Sequence, residues 1–364
     1  MKFKRFFAVL AAAAMLCGVT GCSSGGTSST DTSTRRLVSL SENGRPVSPG
    51  VLQGSDGLSG SDTSHSPENT TRVYRIGIAK LMEHPALDLS EQGFVEALTD
   101  AGFVIGENLL LEYRNGEGDD ANLAAIAGEF VSANEDLIFA IATPAAQACA
   151  AQTTNIPVIA TAVTDFVDAG LIQSNSRPGT NVSGTTDMSP IEEQIDLILD
   201  IFPETQTVGF VYTATESNSA LQTSIAVEYA ESLGLSAEIM TINTADDIES
   251  VFSDIIPRCD AIYLPTDNLL AANMPAVAAV SNPAQMPVFC AESGMVQTGG
   301  FGTLAIDYRD LGYQAGLMAV KVLDGSAIDG MSIQKSTKFE YTFNGATLEA
   351  LGVTLPEEYR DYIV

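Results

Sequence analysis

From Tyr74 onward the chain repeats one pattern, in which a short apolar run is followed by an amphipathic stretch and then by another apolar run. "RIGIAKL" reads as a strand, and "SEQGFVEALTDAG" as a helix with Phe94 and Leu98 on one face. "NLLLEYRN" is a second strand, followed by the helix "NLAAIAGEFVSAN" with Leu123, Ile126 and Phe130 along its apolar side. "DLIFAIAT" and "IPVIATAV" are strands around a further helix. This β-α-β alternation predicts a parallel sheet with helices on both faces. The pattern restarts after "NVSGTTDMSPIEEQIDLILDIFP", where Ser189, Pro190 and Glu192 read as a capping box and Ile191, Ile195, Ile198 and Phe202 as a buried helical face. "TVGFVYT", "SAEIMTI", "AIYLPTD", "PVFCAES" and "GTLAIDY" supply five more strands. Two doubly wound α/β lobes of about 120 residues each fit this order better than one large sheet.

One joint stands out. In "IFAIATPAAQACAAQ" an apolar run stops at Thr143-Pro144 and an alanine-rich helix begins. Thr143 can cap that helix, and Pro144 suits a first turn, where no N–H is needed. Small residues leave its N-terminal donors bare, so an anion can approach. The plainer alternative is an ordinary strand-to-helix turn.

In open parallel sheets, ligands bind outside the carboxyl ends of the strands. Those ends carry Glu83 and His84; Thr143, Ala146 and Gln147; Thr164; and Asp187. In the second half they carry Asn218 within "TESNS", then Thr266, Asp267 and Asn268, then Glu292, and finally Asp307 beside Tyr308. Hydroxyls, amides and carboxylates dominate, and only Lys80 and Arg309 bring positive charge close. Acids there can hold an ammonium group, or can simply cap helices.

Enzyme and metal chemistry find little support. One histidine, His84, falls in the folded part, which excludes a multi-histidine metal site. The motifs GxSxG, GxxxxGK[ST] and HExxH are absent. No cofactor is expected, and the residues favour a binder, with acid-base work by carboxylate pairs left open as an alternative.

The start of the chain bears on location. "MKFKRFFAVLAAAAMLCGVTGC" has a basic start, a short apolar run and small residues near its end, the features of a secretory signal. The run Phe6 to Leu16 falls short of the roughly 20 residues needed to span a bilayer. "VTGC" resembles a bacterial lipobox, which makes residues 1–21 a signal peptide and Cys22 the lipidated first residue. Residues 22–71 are rich in Ser, Thr and Gly and read as a flexible tether. His65 lies there without an evident role, and "NTT" at Asn69 is a chance match to a glycosylation acceptor. The whole chain carries a formal charge of -29, which argues against nucleic-acid or anionic-lipid binding. Cys149, Cys259 and Cys290 read as small buried hydrophobes, the last two at opposite ends of neighbouring strands.

Six stretches, "EHPALD", "IATPAAQA", "TAVTD", "SGTTDMSP", "AIYLPTDN" and "IDYRDLG", occur in this order. Together they resemble the ABC-transporter substrate-binding lipoproteins of the tryptophan/aromatic amino acid-binding type. The resemblance covers about Val73 to Val353. It implies a type I periplasmic-binding-protein fold, with two lobes joined by three crossovers and the ligand in the cleft between them. The first lobe would take residues 72–186 plus about 307–328, and the second 187–306 plus about 329–364. It implies further a monomer that delivers a small molecule to a permease with its ATPase. An aromatic α-amino acid is the expected ligand, with a sugar or nucleoside as the alternative, or a sensor docking on a receptor. The carboxylate is expected at Thr143 and the N–H groups behind it, with Thr164 beside it. The ammonium is expected chiefly at Asp187 and Asp267.

Overall fold

The computed structural model describes residues 72–364. The signal segment, Cys22, the tether, His65 and Asn69 lie outside the described residues.

The first half runs β1 (Tyr74–Lys80), α1 (Pro85–Asp100), β2 (Leu109–Asn115), α2 (Asp120–Ala133), β3 (Leu137–Ile141), α3 (Thr143–Gln152), β4 (Val158–Val163) and β5 (Val182–Thr186). The second continues with α4 (Ile191–Ile201), β6 (Thr207–Thr213), α5 (Ser217–Ser232), β7 (Ser236–Ile242), α6 (Ile248–Ile255) and β8 (Ala261–Leu264). It goes on through α7 (Asn268–Ala272), α8 (Met274–Ser281), β9 (Val288–Cys290), α9 (Ser293–Gln297) and β10 (Gly302–Ile306). The chain then forms α10 (Tyr308–Leu323), β11 (Gln334–Lys335), β12 (Phe339–Phe343) and α11 (Gly345–Leu351).

Two six-stranded sheets result, ordered β11-β5-β4-β3-β1-β2 and β12-β10-β9-β8-β6-β7. The chain passes between them after β5, after β10 and after β11, so three crossovers join the lobes. Pairing is parallel except between β10 and β12, where a closing antiparallel strand covers the edge. The expected third boundary near residue 328 falls too early. Gln334 and Lys335 pair with Thr185 and Thr186, and the chain joins the second sheet only afterwards.

Each lobe packs helices on both faces of its sheet. Phe94 of α1 and Phe139 of β3 stack with ring centroids 3.6 Å apart in the first core. In the second, Phe210 and Tyr263 meet edge-on at 6.0 Å. The firmest helix contact is α1 against α10, where glycines let backbone touch backbone. A methyl at Gly312 would lie 1.9 Å from the Ser90 carbonyl oxygen, and one at Gly93 2.0 Å from that of Arg309.

Two local readings are corrected. Ser189 caps nothing, because its hydroxyl donates to the Ala291 carbonyl at 3.3 Å; Pro190 precedes α4, and no capping box forms. Thr143 is the first helical residue of α3 and not its cap. Ala142 precedes it in a left-handed backbone (φ 89°), which turns the strand sharply into the helix. The expected bare N-terminus stands, since no side chain caps α3. Among the described residues, no helix is long and apolar enough to cross a membrane, and Cys149, Cys259 and Cys290 are free.

Candidate functional site

The carboxyl ends of both sheets face each other across a narrow polar cavity. His84 and Leu87 line it from the start of α1, Ala162 from β4, Asp187 from the first crossover and Tyr308 from the start of α10. Asn218 faces them from α5, Thr266 to Asn268 from the turn between β8 and α7, and Glu292 from the turn before α9. The gap left between these atoms is about 10 Å³, space for roughly one water molecule. The lobes therefore meet side chain to side chain across it.

Two networks bridge the gap. The Tyr308 hydroxyl donates to Asp187 Oδ2 at 2.8 Å and the Thr164 hydroxyl to Oδ1 at 3.1 Å. Thr164 and Thr266 hydroxyls meet at 3.3 Å, and Gln222 Nε2 donates to Thr164 at 3.2 Å from the other lobe. In the second network the backbone N–H groups of Asn268 and Leu269 both donate to the Glu216 carboxylate at 3.0 Å. The Asn268 amide adds a bond to Glu216 at 2.6 Å. That orientation leaves Asn268 Oδ1 facing His84 Nε2 at 3.2 Å.

Burial sets the electrostatics. It raises the carboxyls of Asp187 and Asp267 above their ordinary range, against the donors that hold them ionised. Burial pushes Glu292 up to about 8, and the neighbouring charges of Asp187, Asp267 and Glu216 add to this. Glu216 is also raised, by burial and by the Asp267 charge. His84 is driven down to about 4 by burial, so its ring is neutral near pH 7. Among the described residues, no lysine or arginine lines the cavity. Lys80 instead gathers Glu83, Asp88 and Glu91, each at 2.9 Å.

The cavity thus unites His84, Asp187, Asn218, Thr266, Asp267, Asn268 and Glu292 among the residues expected from sequence, with Thr164 bonded behind them. Glu83 does not join them; it is exposed and paired with Lys80. Gln147 donates to the Ala169 carbonyl at 3.0 Å and does not line the cavity. Ala146 is buried in the first core. Asp307 caps α10 through the N–H groups of Arg309 and Asp310. Thr143 is buried with an unpartnered hydroxyl. Its strand β3 lies between β1 and β4, so this turn sits between His84 and Thr164 on the same sheet edge. Asp267 lines the cavity but is already engaged by Thr213 N at 2.6 Å, the Thr213 hydroxyl at 2.8 Å and Leu270 N at 2.9 Å. The acid with free capacity is Glu292, whose Oε1 has no partner.

Sequence reasoning passed over Gln222, Leu87 and Ala162. Gln222 lies beyond the first turn of its helix, where the strand-end rule does not look. Ala162 adopts φ 53° at an irregularity between β4 and β5, a strain no local motif announces.

Two mostly parallel α/β lobes with a polar interlobe cleft are the architecture of a solute-binding protein. The chain belongs to the family of ABC transporter substrate binding proteins, which it matches over residues 75–362. It is 37% identical over 303 residues to a tyrosine-binding protein of Clostridioides difficile strain R20291, covering 83% of this chain and 88% of that one. Among solved structures it is similar to an ABC domain from Streptococcus pneumoniae in complex with L-Trp. That pair shares 31% identity and a TM-score of 0.77, with 80% of this chain and 100% of that one covered. It is also similar to the ligand-free, open structure of a substrate binding protein with adhesive properties from Clostridium difficile. There the identity is 39% and the TM-score 0.64, over 80% of this chain and 99% of that one.

Proposed function

We propose that this protein captures an aromatic α-amino acid between its lobes and hands it to the permease of an ABC importer. The observation that carries the reading is the cavity's charge. Among the described residues, buried carboxylates converge there without lysine or arginine, and Glu292 has an unpaired acceptor. A buried, unpaired acceptor favours a ligand that brings a positive donor. Asp187 and Glu292 are the proposed ammonium partners, and Asp267 serves as a helix cap. The bare start of α3, with the unpartnered Thr143 hydroxyl, is the proposed seat of the carboxylate.

The relatives named for tyrosine and bound to L-Trp support the aromatic side chain. Rotating one lobe against the other lowers overall similarity without altering either lobe. The open relative is the more identical in sequence yet the less similar in structure, which supports a closed arrangement here and a clamp that opens.

The protein is proposed to work outside the cytoplasm as a monomer, held to the membrane surface by lipid on Cys22. The signal-like residues before Cys22 support this, and Cys22→Ala is expected to release the protein or leave it uncleaved. Processed, membrane-bound mutant protein would refute the anchor. Calorimetry with L-tyrosine, L-tryptophan and L-phenylalanine tests the ligand, with small-angle scattering for compaction. Absence of binding by all three would refute the aromatic reading.

A further inference from the structure

The second hydrogen-bond network has a fixed direction. Asn268 donates from its amide nitrogen to Glu216 Oε2, so its oxygen faces His84 and His84 Nε2 must donate. In a neutral ring, that choice leaves Nδ1 as a bare acceptor. Nδ1 is buried without a partner, and so is Glu292 Oε1, which faces it at 3.9 Å. Two buried acceptors, one from each lobe, therefore point at each other with no donor between them. Such a pair is unfavourable unless a donor joins it. A proton on Glu292 supplies one, and so does an ammonium nitrogen, which can reach both atoms at about 2.8 Å.

Resting on the amino acid reading above, we infer that the ligand's ammonium group replaces a proton at the His84–Glu292 pair, so that capture releases one proton to solvent. The free protein holds the proton on the Glu292 carboxyl. The ligand enters as a zwitterion, Glu292 ionises against its ammonium, and the proton leaves to the buffer. Burial favours the protonated Glu292 of the free state, as do the charges facing it: Asp187 from the first crossover and Asp267 and Glu216 from the second lobe. Tyr308 and His84 face it as neutral groups, and Lys80 is committed to its three acids. Glu216 is less suited to carry the exchanged proton, because two backbone N–H groups and the Asn268 amide already serve its ionised form.

Calorimetric titration with L-tyrosine at pH 7 in phosphate and in Tris, whose ionisation heats differ, counts the protons. About one released per ligand is expected, with the dissociation constant falling about tenfold per pH unit from pH 6 to 7.5. Its des-amino analogue, 3-(4-hydroxyphenyl)propionate, should release none, and Glu292→Gln should bind L-tyrosine more weakly with no release. L-Tyrosine binding without release in the unaltered protein overturns the inference and leaves the amino acid reading standing. Release that persists in Glu292→Gln overturns the assignment to this pair. Failure of L-tyrosine, L-tryptophan and L-phenylalanine all to bind overturns the underlying reading and the inference with it.

Discussion

Gly312→Ala is a one-methyl change with a large expected effect. The new carbon would stand 1.9 Å from the Ser90 carbonyl oxygen, where real contacts essentially never fall under 3.0 Å. The obstacle is helix backbone, which cannot rotate aside, so α10 must draw back from α1 by about 1 Å. A gap of 0.5–1 Å forfeits about a quarter to a half of each dispersion contact. The loss spreads over Phe94 and Leu98 on one helix and Leu311, Ala315 and Met318 on the other, all in the first core. Overpacking typically costs about 1–3 kcal/mol, and a rigid obstacle places this case at the top of that range, near 3 kcal/mol. For a folded body of this size, 1 kcal/mol moves the melting temperature by about 2–4 °C, so the expected drop is about 6–12 °C. Gly128→Ala is the matched control. It lies in α2 with nothing within 4 Å of the new methyl, and helix propensity should stabilise it by about 0.5–1 kcal/mol. Thermal unfolding by circular dichroism reads both. If Gly312→Ala melts no lower than the unaltered protein, the backbone contact between α1 and α10 is wrong.

Glu292 binds its proton more tightly folded than unfolded, so its contribution to stability is full below pH 4.5 and is lost as pH rises towards 8. Glu292→Gln should therefore match the unliganded parent near pH 5 and melt above it at pH 8, by an amount worth about 1–4 kcal/mol; parallel stability profiles would refute the shift. Asp267→Asn should lower stability by about 1–3 kcal/mol and weaken L-tyrosine and its des-amino analogue alike. Glu292→Gln should instead weaken L-tyrosine selectively, by about 2–5 kcal/mol, and calorimetry of both variants with both ligands separates the two roles. A methyl at Gly294 would lie 3.1 Å from Pro85 Cβ in the opposite lobe. Gly294→Ala should hinder closure and weaken binding by about 1 kcal/mol, roughly fivefold; unchanged affinity would show that the two lobes do not meet there.

Strands such as Leu137–Ile141 and Val158–Val163 were legible because their apolar runs are bounded by helical periods. The strand-end rule then found His84, Asp187, Asn268 and Glu292, since topology alone brings those positions to one edge. It could not tell a ligand partner from a cap. Asp267 and Asp307 look alike in sequence, yet both are occupied by backbone N–H groups, one inside the cleft and one outside. Nor could it see which acid keeps a free lone pair. That depends on the amide of Asn268, oriented by Glu216 from another loop. β11 escaped notice because two residues, Gln334 and Lys335, carry no periodicity.

The partnership of α1 with α10 also bears on how the chain comes to be folded. The two helices are separated by more than two hundred residues of sequence, including every strand from β2 to β10. While the chain emerges from its N-terminus, the first lobe has no cover for the face of α1 that carries Ser90, Gly93 and Ala97, and the second can assemble much of its sheet before that cover arrives. Long-range closures of this kind are slow, and they expose apolar surface while they wait. The lobe that begins first is thus the one that must finish late, and the segment that completes it is the one that starts with Tyr308 at the cleft.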